Sequence, residues 1–239
     1  MRVRNVILAL LALAATARAK AQSDLLEYRW DIGGGPGLVM PITDGVGFMQ
    51  SVNMGATLVA RRNFNPRMSL RMNLAFLHMS GDTKATFFPL DPGSKTPEGG
   101  VYASRQWSRN MLELGCVGEL NFWGYGEGPK YKGNKRLTPY ILLGVGMMAA
   151  LGGEKTDIAF LLPVGVGAKY KLAKRLNLGL EWRFTFSTTD RFEADGKQGI
   201  ALDDPYGIES SGLKNKDQYS TIMVTLTYDI SPKYRKCNN

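Results

Sequence analysis

The stretch "LHMSGD" sets His78, Ser80 and Asp82 at alternate positions, and His78 is the one histidine of the 239-residue chain. Histidine beside serine is the pairing of nucleophilic acyl transfer, in which the imidazole takes the hydroxyl proton. Three residues at one strand end do not by spacing alone form a triad, so no catalytic residue is expected. "GGGPG" at 33–37 has the glycines of a phosphate loop, but no helical pattern follows it. The two cysteines, Cys116 and Cys237, stand far apart, and no His, Cys or carboxylate group has metal-site spacing. The expectation is therefore a non-enzyme without cofactor or metal.

The elements that carry these residues announce themselves by a period of two. In "RLNLGLEWRFTFS" (175–187), Leu176, Leu178, Leu180, Trp182, Phe184 and Phe186 share one face, and Asn177, Gly179, Glu181, Arg183 and Thr185 share the other. "MLELGCVGELNFW" (111–123) and "YSTIMVTLTYDI" (219–230) repeat the pattern. Eight strands are predicted, over about 26–38, 51–62, 67–80, 109–123, 137–151, 158–171, 174–187 and 218–230. Most exceed the roughly 5 to 6 residues usual in globular strands and match the about 9 to 11 that cross a bilayer at a tilt.

The ends and connections fix the compartment. "MRVR", "NVILALLALAATA" and "ARAKA" read as a basic region, an apolar region and a cleavage site, giving a signal peptide over 1–21 and a mature barrel over 22–239. Cleavage removes four of thirty basic residues and lowers the formal charge from +9 to +5. No later run reaches the roughly 18 apolar residues of a membrane helix, and nothing suggests nucleic acid as a partner. The tight connections "NFNPR" and "LAKR" and the moderate 124–136 alternate with 41–50, 81–108, 152–157 and 188–217, two of them long and polar. Short turns on one side and longer loops on the other predict an all-β fold: an eight-stranded antiparallel outer-membrane barrel in contact with outer-membrane lipids, its termini and short C-terminal tail periplasmic.

In such a barrel the apolar face meets lipid and the polar face fills an interior only wide enough for side chains. The polar face gathers Glu27, Arg29, Asp31, Arg61, Arg71, Glu113, Glu119, Lys169, Glu181, Arg183 and Asp229, a set expected to pair as a lumen network. Gly144, Gly146, Gly165 and Gly167 make room for the long side chains. Tyr28, Trp30, Phe122, Tyr170, Trp182 to Phe186 and Tyr228 suit interfacial girdles. Pro163 fits badly and predicts a bulge or strand break.

Several blocks resemble a known family. "WDIGGGPG", "NFNPRMSLR", "TPYILLGVGMM", "PVGVGAKYKLAKRLNLGLEWRFTFSTTDRFE" and "DQYSTIMVTLTYDI" are similar to the PorG family, small outer-membrane barrels of the type IX secretion system of Bacteroidota. The block over 163–193 is the most specific. The resemblance implies a non-enzymatic component that anchors or scaffolds a periplasmic ring of a PorK-like lipoprotein and a PorN-like protein. "MPITDG" and the long second loop depart from the family pattern. A scaffold role is matched by basic residues assigned to the periplasmic side: Arg61, Arg62, Arg67, Lys130, Lys132, Lys135, Arg136, Lys171, Lys174, Arg175, Lys233, Arg235 and Lys236. Cys237 sits among the last of these, where neighbouring cations favour a thiolate, and Cys116 is assigned to mid-strand on the lipid face. The two are too far apart to bridge, so Cys237 is a candidate tether to a periplasmic partner. The alternative is a small barrel with a surface role of its own: adhesion, solute passage or lipid chemistry.

Overall fold

The computed structural model describes residues 29–43, 46–85, 103–126, 135–151, 157–189 and 216–230. Eight strands follow in chain order: β1 (Trp30–Ile42), β2 (Asn53–Asn63), β3 (Met68–Ala85), β4 (Ala103–Asn121), β5 (Leu137–Leu151), β6 (Asp157–Ala173), β7 (Leu176–Ser187) and β8 (Gln218–Asp229). Each pairs antiparallel with its chain neighbour, and β1 pairs with β8, so the sheet closes as a barrel without a free wall edge. Closure satisfies the backbone within the wall, the condition for crossing lipid without helices.

Alternation decides which way each strand faces. Leu58, Leu74, Leu143, Val145, Leu180 and Leu226 are exposed on the outside, whereas Glu113, Glu119, Arg71 and Arg183 are buried within. An apolar exterior around a charged interior inverts the soluble pattern and is the arrangement of an outer-membrane barrel. A barrel so satisfied resists detergent until heated. Unboiled and boiled samples are therefore expected to run at different positions on a denaturing gel, and identical mobility would contradict the closed wall.

One end, the turn end, carries both strand termini, β1's start and β8's finish, and the connections 64–67 and 174–175. The first is a turn built by Asn65, whose side-chain oxygen accepts from the backbone N–H groups of Arg67 at 2.8 Å and Met68 at 2.7 Å, with Pro66 between them. At the opposite, loop end, β3 and β4 continue as a hairpin to Ala85 opposite Ala103. The last rungs to their outer neighbours are Gly55–Leu77 and Asn110–Leu151. Residues 81–85 and 103–108, expected as loop, are thus strand that outruns the wall. β1 lies about four residues later than predicted and passes through Pro41, because both β2 and β8 hold the "GGGPG" stretch in register.

Pro163 makes no bulge. β6 stays in register with β7 through Pro163 opposite Thr185, and the irregularity lies instead between Lys171 and Ala173, beside the turn. The effect of Pro163 falls on the other side: the β5–β6 rungs stop at Leu143–Val164 and resume at Gly146–Leu161. Pro36 does the same between β1 and β8, where pairing lapses between Gly34–Leu226 and Gly37–Met223. A strand residue aims its N–H at one neighbour only, so a proline opens one seam and leaves the other intact.

Candidate functional site

The lumen is built in two layers. In the turn-end layer Glu119 is the centre: Oε2 lies 2.9 Å from Arg61 Nε, Oε1 lies 3.1 Å from Arg71 Nη1, Lys169 Nζ pairs with it at close range, and Ser69 Oγ donates at 2.8 Å. Arg61 also reaches Asp31 at 3.1 Å. Arg71 Nη2 and the Tyr140 hydroxyl donate to Glu181 at 2.9 and 2.8 Å. Above them Arg183 meets Glu113 through two nitrogens at 3.0 and 3.2 Å, and Tyr219 and Asn73 complete that carboxylate's shell at 2.7 and 2.9 Å. Four cations thus face four carboxylates, which is what buried charge requires in place of water. Gly167 gives Tyr140 its seat, since a Cβ there would stand 2.5 Å from the ring.

The loop-end layer is different and was not foreseen. Val39, Val46, Leu77, Met79, Trp107, Met111, Met148, Leu161 and Met223 form a buried apolar cluster inside the barrel. The lumen is therefore not filled by charges throughout. A Cβ on Gly81 would come within 2.9 Å of the Trp107 indole nitrogen, so the glycine lets the indole lie across the mouth. With interior side chains packed in both layers, the described barrel is a filled core rather than a pore.

Asp229 is buried next to Asp31 in the β1–β8 register. Arg29 is a correction: by alternation it shares the face of Asp31, but it stands before the first residue of β1 and is exposed. Arg61 and Lys171, also expected on the basic periplasmic face, are buried in the lumen, Lys171 donating to Asn177 Oδ1 at 3.1 Å. The turn-end rim retains Arg62, Arg67, Lys135, Arg136 and Lys174 as exposed cations and Arg175 half-buried. Tyr125, from the β4–β5 connection, reaches across this end: its N–H bonds Pro66 O at 3.0 Å and its hydroxyl donates to Asn177 Oδ1 at 2.8 Å. Burial pushes its phenol above the ordinary range, so it remains a donor. Lys130, Lys132, Lys233, Arg235, Lys236 and Cys237 lie outside the described residues, as do Glu27, Tyr28, the signal segment 1–21 and most of the two long loops.

His78 and Ser80 share one parity on β3, yet they are engaged separately. His78 Nδ1 is 2.8 Å from Asn110 Oδ1, and Ser80 Oγ donates to Asn53 at 2.6 Å. Among the described residues no group of three His, Cys, Asp or Glu side chains is placed to hold a metal ion. Cys116 is free and half-buried on the outer face of β4. The sequence reading missed the inner apolar layer, the Tyr125 cap and the rim contacts. The last are Arg62 near the Trp30 and Phe64 rings, at 5.5 and 5.4 Å from their centroids, and Lys135 over Trp123 at 4.2 Å.

No protein-family model and no curated protein matches the sequence. Among solved structures, the chain is similar in shape to Ail, the attachment invasion locus protein of Yersinia pestis, in complex with a heparin analogue (13% identity, TM-score 0.47, covering 85% of this chain and 99% of that one). Neisserial surface protein A (10%, 0.48, 84% and 97%) and OprG of Pseudomonas aeruginosa (13%, 0.47, 86% and 97%) are similar to the same degree. At these identities and scores the likeness bears on neither ligand nor partner.

Proposed function

We propose that the chain is a non-enzymatic outer-membrane component of a type IX protein secretion apparatus, a scaffold on whose turn end a periplasmic ring docks. The observation that carries this reading is the sign of the exposed charge: among the described residues the turn end exposes Arg62, Arg67, Lys135, Arg136 and Lys174 and no carboxylate, its acids being buried together with the lumen cations. An exposed rim of one sign steers an acidic protein face toward it. The packed lumen supports action through surfaces rather than conduction. The resemblance over 163–193 supplies the identity of the partners, a PorK-like lipoprotein and a PorN-like ring protein. In this reading Arg67, Lys174 and Arg175 make contact together with Lys233, Arg235 and Lys236 of the tail, and Cys237 is the covalent tether.

Co-purification in mild detergent tests it. The full chain is expected to bring down the ring proteins, the triple variant Arg67→Glu, Lys174→Glu, Arg175→Glu to lose them while keeping its heat-modifiable mobility, and a slower non-reduced band to vanish with Cys237→Ser. Retention by the triple variant would reject docking at this end. The β3–β4 hairpin, outrunning the wall at the loop end, favours a second reading, an external surface role. Deleting residues 86–102 would then abolish function without releasing the ring.

A further inference from the structure

The cation–aromatic contacts of the rim differ from the turn cations in where they point. Trp30, Arg62 and Phe64 lie at the turn-end edge of β1 and β2 and are exposed, Trp30 and Arg62 with the outward parity of Ile32 and Leu58, whereas Trp123, beyond the end of β4, has the inward parity of Glu119 and Asn121. On the same outward face, Leu70 stands level with Arg62 as its rung partner, and Ile32 and Leu58 follow toward the barrel middle. A ligand filling this place must be apolar on one side and anionic on the other. No carboxylate among the described residues pairs with Arg62, which lies instead against the two rings. A guanidinium offers several N–H donors in a fork that fits phosphate oxygens, and a neighbouring ring holds it where a headgroup would sit.

We propose that Arg62, held by Trp30 and Phe64, binds the phosphate of a phospholipid headgroup at the turn-end edge of the bilayer. A free anion would match only the cation. A phospholipid matches both the cation and the apolar band, its acyl chains lying along Ile32, Leu58 and Leu70. Arg67 and Lys174 lie in the turns beyond that band and take no part. The proposal does not depend on any secretion role.

Native mass spectrometry of the full barrel, released from vesicles of phosphatidylethanolamine and phosphatidylglycerol, tests it. The wild type is expected to carry phospholipid adducts that Arg62→Gln loses, that Trp30→Leu reduces, and that Arg67→Gln retains. Excess inorganic phosphate is expected to leave the adducts in place. Heat-modifiable mobility of each variant keeps misfolding apart from lost binding. Equal adducts on wild type and Arg62→Gln, equal loss in Arg67→Gln, or displacement by phosphate alone would each overturn the assignment.

Discussion

Replacing Glu119 with alanine is expected to destabilise the barrel by about 3 to 5 kcal/mol, the cost of leaving buried charge without its partner. Glu119 is the shared counter-ion of Arg61, Arg71 and Lys169, so a single substitution strips three cations at once. Asp31 and Glu181 remain but serve only Arg61 and Arg71. Lys169 keeps neutral acceptors alone, Asn121 Oδ1 at 3.1 Å among them. The measurement is reversible urea unfolding in lipid vesicles, followed by tryptophan fluorescence. Adding Lys169→Met to Glu119→Ala should recover part of the loss, because it removes the cation left most isolated. Loss of less than about 1 kcal/mol, the range of an exposed pair, would mean that water reaches this layer.

Leu180→Arg is expected to cost about 2 to 4 kcal/mol, and the same change at Leu172 about 0 to 1, since the penalty for charge on the lipid face falls from midplane to interface. Leu180 lies near the middle of β7 and is 53% exposed, whereas Leu172 lies beside the turn of β6 and β7 at 46%. Nearly equal exposure with unequal cost isolates the membrane from the packing. Thr185 does not serve as the benign inward control that alternation alone recommends. It is wholly buried, and an arginine there would have to displace packed side chains. Equal costs at Leu180 and Leu172 would remove the bilayer from the outer wall.

Strand number, faces and most boundaries were legible because a two-sided wall writes a period of two into every strand. β5 runs over 137–151 as predicted. β1 was misplaced because glycine and proline carry no periodic signal, and its position is fixed by β2 and β8. The inner apolar layer did leave a mark: toward the loop end, alternation gives way to continuous runs such as "MMAAL" at 147–151 and "IAFLL" at 158–162. A strand apolar on both faces looks like an imperfect alternation until the inward neighbours Met148, Leu161 and Met111 are seen together. Arg29 and Arg61 show the other limit. Parity assigns a face, but only the ends of the strand say whether a face is inside anything.

The two prolines divide the wall more deeply than their four missing rungs suggest. The thinned seams are β5–β6 and β8–β1, and between them lie panels that are each continuous in the chain: β1 to β5, residues 30–151, and β6 to β8, residues 157–229. Within a panel, every pairing joins consecutive strands and closes as soon as the second is available. The joins between panels are the ones short of hydrogen bonds. The wall is thus divided into two curved panels meeting along two thinned seams, one at a five-residue link and one where the first and last strands pair. Assembly by zipping each panel and then shutting them is the order that this division favours, and any widening of the barrel in the membrane would begin along the same two lines.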